Sequence, residues 1–321
     1  MGQHIEEFVL SESTSDTPNE LPKRAATKTD NQPITNLVPA RYDVSDFVRL
    51  SMRPTLSSYV AQVWKRRHFT LMESRARAFG SIKDTALGQA WLIIEPFLNS
   101  AIYYFIFAVL LSFDRGMDNF VGYLVVGLIS FNVLAQSLNA TSAIEGSGRN
   151  LVRTFQFPKF SLVLSYVMRI YIDFIPTFLA MLIFIVAVPP HSMPMLGWLL
   201  VPVVYLLAVP MCVGIASITA TFATLVPDIR FVIGLFSRLW FYASGIFWSI
   251  EMFSDKPVMQ DIMRLNPAWT YLEILRTLLL RGEVPPLSLW IYFGVWSIAL
   301  AVFGFLFIWR NEINMSKALE R

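Results

Sequence analysis

Six long apolar runs, at roughly 90–112, 120–139, 160–188, 196–225, 231–250 and 287–308, constrain this chain more than any other feature. Each can cross a hydrocarbon core about 30 Å thick at about 1.5 Å of helical rise per residue, and the third and fourth exceed what a crossing needs. Charged residues are only 15% of the 321 positions and gather between the runs, whereas soluble chains carry roughly 25% spread over their surface. With 55% of positions hydrophobic, the chain calls for an apolar solvent. The expected fold class is all-α integral membrane, with six transmembrane helices. The net charge of +3 does not argue for nucleic acid, because the basic residues sit beside the apolar runs and are better read as setting orientation.

Lys and Arg choose the sides. Arg49, Arg53, Lys65, Arg66, Arg67, Arg75, Arg77 and Lys83 precede the first run, Arg149, Arg153 and Lys159 lie between the second and third, and Arg310, Lys317 and Arg321 follow the last. The positive-inside rule then puts both termini of this multi-pass chain in the cytoplasm, and the cytoplasmic (inner) membrane is its expected location. The connection between the fifth and sixth runs departs from this trend, with Lys256, Arg264, Arg276 and Arg281 on the outer side. It also holds the apolar stretch Leu272–Leu280, too short to span. A re-entrant segment over about 257–283 accounts for it, with a plain surface helix as the alternative.

Residues 1–45 are rich in Ser, Thr, Asp, Pro and Asn and are expected to be a disordered polar tail, since they cannot bury enough surface to offset ordering. No apolar core follows a basic start, so no cleaved signal peptide is expected. Within 46–86, Leu56, Tyr59, Val60, Val63 and Trp64 fall at helical spacing and lead into Lys65, Arg66 and Arg67. This reads as a basic amphipathic helix lying in the membrane interface, with packing on a soluble domain as the alternative. Residues 87–310 form the transmembrane region and 311–321 a cytoplasmic tail.

Catalytic chemistry is hard to find. His4, His68 and His191 are far apart and Cys212 is the only cysteine, so no metal-ligand cluster and no intrachain disulfide are expected. The stretch EGSGRNLVRTF from Glu145 lacks the Gly-Lys-Ser/Thr ending of a phosphate-binding loop, and nothing pairs a nucleophile with a base. The chain is therefore read as a non-enzyme without a cofactor of its own. What the runs do carry is polar stripes. Glu95, Asn99 and Tyr103 repeat at i, i+4, i+8, Asn132, Gln136 and Asn139 at i, i+4, i+7, and Arg238 and Tyr242 at i, i+4, with Ser244, Trp248 and Ser249 beyond. Unsatisfied polar groups in lipid cost several kcal/mol each, so these faces meet protein or water. They either glue the bundle or line a path. Arg169 and Asp173, four apart, neutralise each other.

The chain resembles the permease subunit of ABC-2 type exporters of lipid-linked polysaccharide, the O-antigen, teichoic acid and cell-wall galactan transporters. The resemblance runs from about Leu56 to Arg321. It rests on LGQAW at Leu87 with Glu95-Pro96 following, PDIR at Pro227, and LNPAWTYLEILRTLLLRG from Leu265. Pro227 stands where that family commonly has a basic residue, and Gly245 where it often has Pro; these differences bear on substrate class more than on fold. The resemblance implies a homodimer forming the channel for a lipid-linked polysaccharide, and two copies of a partner ATPase that carry the ATP and Mg. Read with the polar stripes, a channel of this kind is expected to have a translocation path lined by Glu95, Asn99, Tyr103, Asn132, Gln136, Arg238, Tyr242 and Trp248. The resemblance also implies a coupling helix at about 145–159, presenting Arg149, Asn150, Leu151, Arg153 and Phe155 to the ATPase, and a gate helix bearing Trp64, Arg66 and Arg67. An exporter of drugs or simple lipids is the nearest alternative. A membrane glycosyltransferase is a third reading, and would want an acidic or His cluster at one membrane face.

Overall fold

A helix that is apolar over most of its circumference belongs at the centre of a bundle, and α4 (Phe120–Leu138) takes that place, buried except near Val121, Asn132, Ala135 and Gln136. The computed structural model describes residues 54–80, 87–106, 119–141, 144, 158–188 and 195–320. Around α4 stand α3 (Trp91–Tyr104), α5 (Lys159–Ala187), α6 (Val201–Leu225, led in by a 3-10 turn), α7 (Ile229–Ala243) and α10 (Leu287–Glu320). Two short helices precede them, α1 (Leu56–Lys65) and α2 (Arg67–Gly80), and two more, α8 (Pro257–Arg264) and α9 (Pro267–Arg276), lie between α7 and α10. Among the described residues, four helices are long and apolar enough to cross a membrane: Phe120–Leu138, Lys159–Ala187, Leu196–Leu225 and Leu287–Leu319.

Side-chain pairings give the directions. Ser297 bonds to Leu207 and Met211, and Phe222 packs on Phe307, so α6 and α10 run parallel. Ser130 bonds to Tyr205 and Thr219 to the carbonyl of Ser137, so α4 is parallel to both. Helix α5 is antiparallel to this set, since Tyr171 reaches Cys212 while Phe178 packs on Tyr205. Helix α3 follows α5, through Thr177 on Leu92 and Phe184 on Phe97. Helix α7 opposes α4, with Trp240 and Phe241 on Phe131 and Gly245 beside Tyr123. Directions therefore alternate along the chain through α3, α4, α5, α6, α7 and α10.

Prolines open gaps in this bundle and neighbouring hydroxyls close them. Pro96 has no N–H to give the carbonyl of Leu92, four residues back, and Thr177 of α5 donates to that oxygen at 2.6 Å. Next to Pro210 in α6, the Ser297 hydroxyl of α10 accepts from Met211 N at 3.0 Å and donates to Leu207 O. An apolar setting makes each orphaned group expensive. Ser297→Ala should therefore lower stability by about 1–3 kcal/mol, read as a fall in the thermal unfolding midpoint, whereas Ser297→Thr should retain most of it.

Three expectations need correction. The fifth run was expected to be helical over 231–250, but α7 ends at Ala243, and Gly245 follows at φ +70°. Asn266 fixes this end: its Oδ1 accepts from Trp240 Nε1 at 2.9 Å and Ala268 N at 3.0 Å, and its Nδ2 donates to Ala243 O at 3.1 Å. The segment then closes through α8, α9 and a π-helical turn, Thr277–Arg281, and stops at Gly282 with φ +71°. Helix α9 runs antiparallel to α10, as Tyr271 stacks on Phe293 and Pro267 shares a cavity wall with Leu300. Second, the single amphipathic helix expected within 46–86 breaks at Arg66 into α1 and α2, so that α2 can turn along α5 and bury Thr70, Ser74 and Ala78. Third, Lys159, taken for a loop charge, is 3% exposed and paired to Glu312 at 3.0 Å. Of the first run, α3 and the two residues after it are described, and the remainder from 107 lies outside the described residues.

Candidate functional site

Helical periodicity puts residues four apart on one face, and two such faces, on α3 and α7, converge with Asn132 of α4 on a cavity of about 470 Å³. Glu95, Asn99 and Tyr103 enter from α3, Asn132 from α4, and Arg238 and Tyr242 from α7. Glu95, Asn99, Asn132, Arg238 and Tyr242 are exposed and Tyr103 is half-buried. The polar groups stand on an aromatic frame: Tyr103 packs on Phe241 and Phe247 at 5.9 and 5.0 Å, and Phe131 packs edge-on to Phe241 at 5.5 Å. These rings fix the wall while leaving hydroxyl and amide groups free to exchange partners. No ion pair joins Glu95 to Arg238 among the described residues, so the cavity offers a carboxylate and a guanidinium separately.

Two expected members do not reach it. Gln136 is partly buried on α4, where its backbone carbonyl accepts from Tyr166; the α4 wall of the cavity is Leu128, Phe131, Asn132 and Ala135 instead. Trp248 lies beyond the end of α7, its Nε1 donating to Tyr242 O and its ring edge-on to Phe253. Ser237 also lines the cavity; its place one residue before Arg238 was the available signal.

Helix α7 has a second side. Leu138, Met211, Ile215, Phe236, Trp240 and Leu300 help line an almost wholly apolar groove of about 480 Å³, so α7 divides a polar cavity from an apolar one. No α7 residue is buried, and Phe231, Leu235 and Leu239 are 82%, 59% and 61% exposed.

At the other expected sites, Trp64 is 68% exposed with the Arg67 guanidinium 5.2 Å above its ring, and Arg66 occupies the α1–α2 break. Leu56, Val60 and Trp64 form an exposed apolar line on α1, while Tyr59 turns into the protein. Arg149, Asn150, Leu151, Arg153 and Phe155 lie outside the described residues. Among the described residues, no group of three or more His, Cys, Asp or Glu side chains could hold a metal ion.

Sequence reasoning missed the use made of Arg276. It is 1% exposed and donates to Gly245 O at 2.9 Å, Tyr123 O at 3.3 Å and Ile246 O at 3.5 Å, with its guanidinium 3.4 Å from the centre of the Tyr123 ring. Arg281 pairs with Glu273 at 2.9 Å. The signal was the breach of the positive-inside trend: Arg276 is consumed inside the protein, and Arg281 is neutralised beside it.

Residues 74–280 match the sequence profile of the ABC-2 type transporter family. The O-antigen export system permease protein RfbA of Myxococcus xanthus is 24% identical over 195 residues, 61% of this chain and 72% of that protein. Two proteins of the same description from Klebsiella pneumoniae are 24% and 25% identical, over 63% and 62% of this chain and 76% and 75% of their own lengths.

Proposed function

We propose, from the premise that this chain belongs to the ABC-2 type transporter family and is thus a multi-pass membrane transport subunit, that it forms the channel through which a lipid-linked polysaccharide leaves the cytoplasm. The observation that carries this reading is the convergence of the α3 and α7 polar stripes and Asn132 of α4 on one cavity. A hydrated glycan needs replaceable hydrogen bonds and flat stacking faces, while tight binding would slow passage. Asn99, Asn132, Tyr103 and Tyr242 supply both. Arg238 can fork onto phosphate oxygens linking a glycan to its lipid. The names of the O-antigen export relatives support the substrate class, and a drug or simple-lipid exporter is the competing reading. The polar wall favours the glycan.

In this reading the alternating helices make six passes with both termini in the cytoplasm of a cell whose inner membrane holds the protein. The α8–α9 hairpin is re-entrant, with α9 covered by α4, α6 and α10, and two copies assemble across the exposed faces of α3 and α7. Energy comes from a separate ATPase bound at the 145–157 connection, which holds ATP and Mg.

The test is labelling of single cysteines by a membrane-impermeant thiol reagent. Cys212 is fully buried, so the natural cysteine can stay. Cysteines at Asn99, Asn132 and Tyr242 should react from the aqueous phase, and adding the lipid-linked glycan should protect them. Cysteines at Ile183 and Leu206, exposed on the outside of α5 and α6, should not react. If the cavity positions stay unreactive with and without ATP, the stripes are bundle glue and the reading fails.

A further inference from the structure

Pro158 stands at the N-cap of α5 and has no side-chain group to cap it, so the first N–H groups of this helix need partners from elsewhere. They find them on two distant helices. Glu312 of α10 accepts from Lys159 N at 3.1 Å through Oε1, and Tyr59 of α1 accepts from Phe160 N at 3.3 Å through its hydroxyl oxygen. The same groups bind one another. Tyr59 donates to Glu312 Oε2 at 2.8 Å, and Lys159 Nζ donates to Glu312 Oε1 at 3.0 Å and to Ser316 Oγ at 2.7 Å. All three residues are buried, with exposures of 1% for Tyr59, 3% for Lys159 and 9% for Glu312. Phe305 packs on both Tyr59 and Phe160, and Trp309 donates to Pro54 O at 3.1 Å.

We infer that the Tyr59–Lys159–Glu312 cluster is a positioning site that locks α1 to the start of α5 and the end of α10, so that α1 moves with the connection that ends at Pro158. A buried ion pair adds little net stability over apolar residues of the same shape. What it adds is a defined geometry, because a carboxylate at a helix N-terminus is held by both charge and direction. Burial and the Glu312 charge push the Tyr59 hydroxyl above its ordinary value, so it remains a donor. What the movement accomplishes rests on the transporter reading: a partner pressing on the α4–α5 connection would drag α1 across the membrane surface through this cluster, without touching α1 itself.

The experiment uses the full chain in vesicles with a nitroxide on a cysteine replacing the exposed Ser57 of α1. Tyr59→Phe removes one hydroxyl and keeps the ring on Phe305; Glu312→Gln keeps the shape and removes the charge. Both should raise label mobility at unchanged yield, whereas Tyr292→Phe, which deletes a hydroxyl bonded to Leu265 O, should not. In the complex with its ATPase, Tyr59→Phe should cut export several-fold while ATP hydrolysis continues. A label as immobile in Tyr59→Phe as in the parent overturns the lock. So does mobility that rises equally in Tyr292→Phe. Export unchanged in a protein whose α1 is mobilised overturns the transport role. Should Glu312→Gln not fold, Tyr59→Phe decides alone. Should no ATPase bind, the transporter reading fails, and label mobility still tests the lock.

Discussion

Replacing Arg276 with methionine should cost roughly 3–5 kcal/mol, lowering the unfolding midpoint by on the order of 10 °C. The side chain gathers the carbonyls of Gly245, Ile246 and Tyr123, two of which are freed because the chain leaves helical geometry at Gly245. Tyr123 donates its hydroxyl to Gly245 O at 3.0 Å and Trp248 O at 2.8 Å, so part of the cluster survives. The remaining acceptors would be buried without a donor, at about 1–3 kcal/mol each. Lysine should rescue poorly, since a point charge neither forks across two chain segments nor stacks flat on Tyr123. Gly127 belongs to the same arrangement: a methyl group there would meet Arg276 Nη2. Thermal unfolding in detergent checks the expectation, and an Arg276→Met protein that melts with the parent would show that these carbonyls have other partners.

The second large effect is expected where α6 and α10 cross. A Cβ at Gly214 would collide with the backbone carbonyl of Leu300, and one at Gly304 with the backbone of Gly214. Backbone cannot swing aside, so even alanine must push the helices apart, and Gly214→Val should cost about 3 kcal/mol or more. Close approach of backbones through small residues is how apolar helices gain contact when water supplies no driving force between them. Gly294 of α10, on the same helix as Gly304, is the control. A Cβ there meets only the ends of Leu207, at 3.8 and 3.9 Å. In a helix alanine is favoured over glycine by about 0.8–1.0 kcal/mol, so Gly294→Ala should be neutral or stabilising while Gly214→Ala destabilises. Equal melting of the two alanine variants would sink the argument.

The candidate cavity was legible in the sequence to the extent that helical period alone decides it. Glu95, Asn99 and Tyr103 must share a face of any straight helix, and so must Arg238 and Tyr242, and the structure brings both faces with Asn132 to one cavity. Gln136 and Trp248 lie away from this cavity, Gln136 on the side of α4 that meets Tyr166 and Trp248 beyond the early end of α7. The apolar groove on the far side of α7 had no sequence signal, because its walls are drawn from five helices, α4, α6, α7, α9 and α10, whose apolar faces only packing brings together.

Solvent preference and periodicity are properties of a stretch of chain, so the sequence by itself determined the membrane class, the apolar runs and the faces on which polar residues lie. Tertiary structure decided which charges are structural and where helices stop. Lys159 reads as a loop charge until Glu312, 153 residues away, is beside it, and Arg276 reads as an outer-face anomaly until the carbonyls around Gly245 surround it. The reason is desolvation: a buried charge or orphaned carbonyl is tolerated only when its partner is present. That partner is supplied by packing, and no local pattern encodes it.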